Sequence, residues 1–145
     1  MDPKPNLHPS LTDVDADRKL YQSAIGSLLY LALGTRPDIS YAVNKLAQYA
    51  SDPTRTHWHA VLRIFAYIRG TLDFGIRLGS SDDLLTEWFD ASYADDVVDR
   101  HSTCGYVFLY KGSPVSWRSK KQSMVALSST EAEYVTATEA AKELQ

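Results

Sequence analysis

The chain has 145 residues, a formal net charge of −3 and a hydrophobic content of 44%, which suit one folded domain or two small units sharing a core. Its single cysteine, Cys104, excludes an internal disulfide framework and a cysteine-based zinc site. The amino-terminal residues lack the apolar run of a signal peptide, and the longest apolar stretch, residues 28–33, is too short to cross a bilayer. The expected location is therefore inside the cell, in the cytoplasm or nucleus, with no secretion and no membrane partner.

The first part of the chain predicts a lead-in and three helices. Residues 1–17 are rich in Pro and Asp and show no period, which is typical of a flexible segment. A first helix is predicted from Arg18 to Leu33, with Gly34 as its C-cap. A second begins at Asp38, and a third follows Pro53. The predicted buried face of the second helix comprises Ile39, Val43, Leu46, Ala47 and Ala50, and that of the third comprises Trp58, Val61, Leu62, Phe65 and Ile68.

From residue 73 the hydrophobic period changes to that of strands. Residues 74–78 predict a short strand and residues 84–90 a second one. Residues 104–119 predict a hairpin that turns at 111–113. Ser128 and Glu131 have the spacing of a capping box, so a helix is predicted from there to the C-terminus. The fold class is therefore α+β, with an N-terminal three-helix unit at 18–72 and antiparallel strands plus one helix at 73–145.

Two acidic side chains fall on apolar surfaces of these elements. Glu133 shares a helical stripe with Ala137, Ala140 and Leu144, whereas Glu139 and Glu143 are predicted to face solvent. Asp90 ends an apolar strand. Because a buried carboxylate is costly unless it is compensated, the two positions together suggest a site for a divalent metal ion.

Charge is distributed unevenly along the second half. Residues 82–99 contain seven Asp or Glu and no Lys or Arg, and residues 100–121 contain five Lys or Arg and no Asp or Glu. Adjacent blocks of opposite charge fit a metal-binding edge beside a phosphate-binding edge. For the acidic block taken alone, ordinary solvated loops are the favoured interpretation.

Several motifs resemble one known family closely. They are FDAS at 89–92, STCGYVF at 102–108, VSWRSKKQ at 115–122 and VALSSTEAEY at 125–134. They resemble the ribonuclease H region of copia-type (Ty1/copia) retrotransposon polyproteins. The motifs YQSAIGSLLY at 21–30, TRPDI at 35–39 and RGT at 69–71 resemble the reverse transcriptase connection segment, or thumb-like segment, that precedes it. The resemblance covers the chain from about Lys19 onward, with the blocks in the family's order.

This resemblance implies a ribonuclease H-like fold and the hydrolysis of RNA in RNA–DNA hybrids with Mg²⁺, or with Mn²⁺ in its place. By motif position, Asp90 and Glu133 are the first two of the family's usual four catalytic, metal-binding acids. The later two would lie beyond Gln145, so the fold is expected to be C-terminally truncated and catalysis by this chain alone to be weak. Asp95 and Asp96 are candidates to replace the missing acids.

The resemblance also implies partners and contact residues. The expected partners are an RNA–DNA hybrid and the remainder of the reverse transcriptase polyprotein. Nucleic-acid contacts are predicted for Ser92 and for two larger sets. The first set lies on the third helix and comprises Arg55, His57, His59, Arg63 and Arg69, for which a solvated helix face is an equal alternative. The second lies on the hairpin and comprises Ser116, Arg118, Lys120 and Lys121.

Two alternatives stay open from the sequence. The chain is a non-catalytic module, derived from a retrotransposon, that binds nucleic acid or protein, or it is a decayed relic. In either case a shortened sheet leaves an exposed edge, which favours self-association.

Overall fold

The computed structural model describes residues 7, 14–79, 81–96 and 98–144. The chain forms two compact units, Met1–Gly75 and Ile76–Gln145. Across these described residues the protein is mixed α+β, with four α-helices and one three-stranded antiparallel sheet. Within the described part of the chain, no helix is both long and apolar enough to span a membrane.

The first unit contains three α-helices and a short 3-10 helix. Its α-helices are α1 (Arg18–Gly34), α2 (Ser40–Ala47) and α3 (Arg55–Arg69), and the 3-10 helix is Pro37–Ile39. Helix α1 begins where predicted because the Asp17 carboxylate accepts a hydrogen bond from the Leu20 N–H at 3.1 Å. The C-cap is Thr35 rather than Gly34. The predicted start of the second helix at Asp38 is two residues too early, since Asp38 lies in the 3-10 helix and α2 begins at Ser40.

The core of this unit lies between the three α-helices. Its buried members include Ile25 and Leu28 of α1, Val43 of α2 and Val61 of α3. Tyr21 is also fully buried, and its hydroxyl donates a 2.8 Å hydrogen bond to the Leu46 carbonyl oxygen. Ile39, Val43 and Leu46 are buried as predicted, and Ala47 and Ala50 pack at the margin of the core.

The buried face of α3 differs from the prediction. His57, Val61 and Ile64 are buried, whereas Leu62 and Phe65 are exposed. His57 fixes this rotation of the helix: its Nδ1 accepts the Thr54 N–H at 3.0 Å, and its ring stacks on Tyr49 with centroids 4.0 Å apart. The spacing of apolar residues gives no sign that a histidine is buried. The predicted buried face of α3 is therefore turned away from the observed one.

Most of the predicted lead-in, residues 1–6 and 8–13, lies outside the described residues. The part that is described is hydrogen bonded to the start of α3. Arg55 N–H donates to the Val14 carbonyl oxygen at 2.8 Å, and Ala16 N–H donates to the Pro53 carbonyl oxygen at 2.9 Å. The chain before α1 is therefore anchored at these positions.

The second unit contains the sheet and one α-helix. The strands are β1 (Leu85–Ser92), β2 (Thr103–Tyr110) and β3 (Ser113–Lys121), in the order β1-β2-β3, and the helix is α4 (Ser129–Glu143). The predicted hairpin is confirmed, with strands slightly longer than expected. The hairpin turns at Lys111 and Gly112. Both residues have positive φ, which a tight two-residue hairpin turn requires. The short strand predicted at residues 74–78 is wrong, because the structure contains no strand there.

Helix α4 packs on one face of β1 and β2. Ala140 lies in a buried cluster with Tyr106 and Phe108, so the side chains of β2 at even positions define what we call the helix-covered face of the sheet. The start of α4 is as predicted: Ser128 Oγ accepts the Glu131 N–H at 3.1 Å. Glu131 itself accepts the N–H of Leu127, at 2.7 Å, one residue before the position that a standard capping box uses.

The sheet-facing stripe of α4 is rotated from the prediction. Ala132, Thr136 and Ala140 are buried, and Glu133 is only half-buried. Glu143 is predicted to face solvent, and it is exposed. Its carboxylate accepts hydrogen bonds from the Tyr106 hydroxyl at 3.1 Å and the Ser116 hydroxyl at 2.7 Å. These hydrogen bonds join the last turn of α4 to the sheet, and a count of apolar residues contains no information about them.

Candidate functional site

The two predicted catalytic carboxylates lie on elements that meet at one end of the sheet. Asp90 is near the C-terminal end of β1, directly opposite Gly105 in β2. β3 ends at Lys121, and α4, which carries Glu133 about one turn from its start, begins soon afterwards at Ser129. The start of α4 therefore lies near the end of β1.

The faces of the two carboxylates differ. Phe89 is opposite Tyr106 in the ladder and shares the helix-covered face, so by strand alternation Asp90 belongs to the other face with Gly105. Asp90 is exposed and Glu133 is half-buried. Among the described residues there is no group of three or more His, Cys, Asp or Glu side chains placed to hold a metal ion. A metal site at Asp90 and Glu133 therefore stays a prediction.

Gln122, just beyond β3, connects the sheet to α4. Its backbone N–H donates to the Ser102 carbonyl oxygen at 2.8 Å. Its buried side-chain amide donates to the Ala132 carbonyl oxygen at 3.0 Å and to the Thr136 hydroxyl at 3.2 Å. A second, exposed connection runs from the Tyr93 hydroxyl to the Leu127 carbonyl oxygen at 3.3 Å. These bonds hold the strand end that bears Asp90 and the helix that bears Glu133 in a fixed relation.

The acidic loop after β1 is organised around Lys121. The Lys121 ammonium lies 2.7 Å from a carboxylate oxygen of Asp96 and 2.6 Å from one of Asp99. Burial raises the pKa of Asp96, but hydrogen bonds from Lys121 and from the backbone N–H groups of Val98 and Asp99 outweigh it and lower that pKa to about 2. The ionised form of Asp96 is thus strongly favoured, and its charge is balanced by Lys121 at the end of β3.

These contacts bear on three residues singled out from the sequence. Asp96 is 7% exposed and paired with Lys121, and Asp95 accepts the Thr103 hydroxyl at 2.8 Å. Both candidate replacement acids therefore already hold the loop in place. Lys121, predicted to contact nucleic acid, is half-buried between two carboxylates.

The remaining predicted nucleic-acid contacts occupy three places. Arg55 and Arg63 are exposed on α3, and Ser92 is exposed at the end of β1. Arg118 and Lys120 are exposed on β3, opposite Tyr106 and Cys104 of the helix-covered face. Lys142, and more weakly Lys120 and Arg118, lower the pKa of Glu139, so these two hairpin cations lie beside the acidic flank of α4. His57, by contrast, is buried and structural.

Sequence reasoning missed the role of Arg36. The buried guanidinium donates to both Asp38 carboxylate oxygens, at 2.9 and 2.8 Å, and to the Thr71 carbonyl oxygen at 3.1 Å. It also lies over the rings of Tyr67 and Phe74. In the sequence, only the position of Arg36 two residues before Asp38, at a predicted helix start, could have indicated this pairing. Its partners at 67, 71 and 74 are distant in sequence and became visible only in the fold.

Comparison with known proteins gives the class of this chain. It is 46% identical over 144 residues to a retrovirus-related Pol polyprotein from transposon RE2 of Arabidopsis thaliana, across 99% of this chain and 10% of the polyprotein. It is 46% identical over 124 residues to the corresponding polyprotein from transposon TNT 1-94 of Nicotiana tabacum, across 86% of this chain and 9% of that polyprotein. The chain thus spans about a tenth of the length of these plant polyproteins.

A shorter relative matches over most of its own length. The chain is 48% identical over 126 residues to secreted RxLR effector protein 161 of Plasmopara viticola, across 85% of this chain and 87% of that protein. Its homologues include retrovirus-related Pol polyproteins of copia-type plant transposons, which it matches over part of their length. No family model matches the sequence. No solved structure matches it either.

Proposed function

We propose that this chain is a piece of a copia-type reverse transcriptase polyprotein, in which the first unit is the three-helix connection segment and residues 76–145 form part of a ribonuclease H-like domain. Its reaction is hydrolysis of RNA within RNA–DNA hybrids. The observation that carries the proposal is that two family motifs lie at the same end of the sheet: Asp90 is near the C-terminal end of β1, on the face away from α4, and Glu133 is about one turn into α4.

The donor chemistry of this pair suits a hard divalent cation. Asp90 and Glu133 supply carboxylate oxygens, the ligands that Mg²⁺ and Mn²⁺ favour. Among the described residues, neither the Asp90 nor the Glu133 carboxylate forms an ion pair. When bound, such a metal stabilises the attacking and leaving oxygens of phosphodiester hydrolysis. Two carboxylates alone bind Mg²⁺ weakly, so full activity requires further acidic ligands besides these two.

The chain's own contribution is to position these groups and to bind the hybrid. Gln122 and Tyr93 hold α4 against the strand ends. Exposed Arg55 and Arg63 on α3, with Arg118 and Lys120 on β3, contact phosphates through charge, and Ser92 does so through its hydroxyl.

The test is cleavage of an end-labelled RNA–DNA hybrid in Mg²⁺ and in Mn²⁺. We expect metal-dependent cleavage that falls by roughly 100-fold or more in Asp90→Asn and in Glu133→Gln. Asp82→Asn and Glu139→Gln are matched controls elsewhere on the same unit and should cleave as the unaltered chain does. Cleavage that survives both active-site substitutions would refute the assignment of these residues.

A second candidate is a binding module without catalysis. The observation that favours it is the match across 87% of the Plasmopara protein, which shows that a segment of this extent occurs in a protein of similar length, named a secreted effector. For this candidate we expect the chain to bind a fluorescent hybrid without cleaving it, with an affinity that falls steeply with salt. Arg55→Gln with Arg63→Gln should weaken that binding, and an unchanged affinity would exclude this surface.

A further inference from the structure

Helix α3 carries positive charge on its exposed side and no negative charge. Its sequence contains three arginines and neither Asp nor Glu. The exposed basic side chains, which we call the α3 basic stripe, are Arg55, His59, Arg63 and Arg69. Within the described part of the chain, none of their side chains forms an ion pair or a hydrogen bond. The charge of this stripe is therefore not neutralised by these parts of the chain.

The cations of the hairpin are placed differently. Lys121 lies between two carboxylates. Arg118 and Lys120 lie beside Glu139 and help to lower its pKa, so part of their charge is offset within the second unit. Of the two predicted sets of nucleic-acid contacts, the α3 basic stripe is therefore the one that offers uncompensated charge to a polyanion.

His59 lies at the middle of the stripe. Arg55 precedes it and Arg63 follows it by four residues, which places all three on one side of the helix. His57 is only two residues away but on the other side, where it is buried and stacks on Tyr49. One histidine of this helix therefore packs in the core, and the other is exposed between two arginines.

The length of the stripe suits a nucleic-acid backbone. With an α-helical rise of about 1.5 Å per residue, Arg55 and Arg63 are about 12 Å apart along the helix, and Arg55 and Arg69 are about 21 Å apart. The phosphates of one strand recur about every 3.4 Å along a duplex axis, so a helix of this length lies against about six base-pair steps. Contacts to phosphates do not depend on base sequence, which suits the hybrid binding proposed above.

We propose that binding of the RNA–DNA hybrid along the α3 basic stripe is coupled to the uptake of one proton by His59, so that the hybrid binds more tightly in mildly acidic solution. This inference rests on the proposed function, which supplies the hybrid as the ligand. Arg55 and Arg63 bring phosphate groups to the two sides of the ring. A negative charge beside an imidazole favours its protonated form, and histidine changes its charge between about pH 8 and about pH 5. The imidazolium is then a further cation on the backbone of the hybrid.

The surroundings of His59 leave the phosphate as the partner of that charge. The charged groups of α3 nearest to the ring along the chain are Arg55 and Arg63, and the nearest carboxylates are those of Asp52 before the helix and Asp73 after it. Among the described residues, neither acid forms a hydrogen bond or an ion pair with His59, and no group of α1 or α2 does so. Within these residues, no carboxylate holds a proton on His59 before the hybrid binds.

Fluorescence anisotropy of a labelled RNA–DNA hybrid tests the coupling, with the full chain in a metal chelator so that binding is measured without cleavage. At about 0.1 M salt we expect the dissociation constant to be about 5- to 10-fold lower at about pH 5.5 than at about pH 8, because one added phosphate contact releases about 0.9 counterion. His59→Gln should bind at both pH values as the unaltered chain does at the higher one. His59→Arg carries a permanent charge and should bind at both as the unaltered chain does at the lower one.

The matched control is His101→Gln, which removes a histidine of the second unit whose Nδ1 lies 2.7 Å from the Gln122 carbonyl oxygen, and it should keep the pH dependence. Equal affinity at both pH values, or an unchanged pH dependence in His59→Gln, would overturn this inference and leave hybrid binding and cleavage standing. A polyglutamate that displaces the hybrid as well as an unlabelled hybrid of equal charge does would also overturn it and assign the stripe to an acidic protein. Absence of hybrid binding at both pH values would refute this inference and the proposed hybrid binding together, whereas absence of cleavage with pH-dependent binding would refute cleavage alone.

Discussion

Lys121, the last residue of β3, forms an ion pair with the buried carboxylate of Asp96, with 2.7 Å between the ammonium nitrogen and the nearer carboxylate oxygen. Asp96 follows β1 by four residues, so the pair connects the loop after the first strand to the end of the third. It also gives the acidic loop a structural role that its composition did not predict.

The first prediction concerns the pH dependence of stability. The pKa of Asp96 is about 2 in the folded chain against an ordinary value of 3.8. A lowered pKa stabilises the fold above the unfolded value, and this stabilisation is lost as pH falls from about 4 towards 2. The shift corresponds to about 2 kcal/mol. Urea denaturation between pH 5 and pH 2 should show that loss, and Asp96→Asn should show a flatter profile.

The control for this experiment is Asp82→Asn, at an exposed position on the same unit. It should keep the pH profile of the unaltered chain. Lys121→Met should reduce stability near neutral pH, because it leaves the buried Asp96 carboxylate without its cation. If Asp96→Asn and Asp82→Asn gave the same profile, the pair would not be a source of stability.

The second prediction concerns His57 and its exposed neighbour His59. The Nδ1 of His57 accepts the Thr54 N–H, so the Nε2 donates its proton to the Leu7 carbonyl oxygen at 2.7 Å. His57→Phe keeps the ring but leaves these buried groups unsatisfied, and we expect a loss of roughly 1–3 kcal/mol in the free energy of unfolding. His59→Phe should change it by less than about 0.5 kcal/mol. Chemical denaturation compares the two, and equal effects would contradict the structural role of His57.

The third prediction concerns Arg36. Its planar guanidinium bonds Asp38 and Thr71 at the same time and lies 5.6 Å from the centroid of the Tyr67 ring. Lysine cannot reproduce this forked geometry, so Arg36→Lys should lower the midpoint of thermal unfolding, with a loss of roughly 2 kcal/mol. Arg55→Lys, at an exposed position, should leave that midpoint nearly unchanged. If Arg36→Lys left the unfolding midpoint as unchanged as Arg55→Lys does, the charge of Arg36, and not the shape of its guanidinium, would be what stabilises the fold.

The fourth prediction uses Cys104 as a probe of the second unit. The thiol is buried on the helix-covered face and donates to the Lys120 carbonyl oxygen at 3.2 Å. Burial, with a further contribution from Glu139, raises the pKa of this thiol, which reduces the reactive thiolate. A chromogenic disulfide reagent should therefore modify the native chain at least 100-fold more slowly than the chain in urea. Rapid modification of the native chain would show that α4 does not stay packed on β2.

Local signals in the sequence predicted the elements well. Asp17 and Ser128 each cap the helix that follows, and Lys111 with Gly112 makes the hairpin turn. These features depend on residues a few positions apart, so propensity, capping and turn chemistry suffice to find them. The metal-site interpretation of Asp90 and Glu133 came from family motifs, and it stays a prediction.

The rotation of each helix was less predictable. The buried side of α3 depends on His57 meeting Tyr49 and Leu7, and that of α4 includes Thr136, whose hydroxyl accepts a hydrogen bond from the Gln122 side chain. In both cases a polar side chain turns inward because a distant partner satisfies it, and apolar periodicity contains no information about such partners.

The sequence by itself determined the α-helices, the hairpin and the resemblance to copia-type polyproteins, because caps, turns and motifs act through neighbours along the chain. Only the tertiary structure decided which face of β1 carries Asp90 and which acids of the loop Lys121 neutralises. Those outcomes arise from pairing register and burial between residues that lie far apart in the sequence.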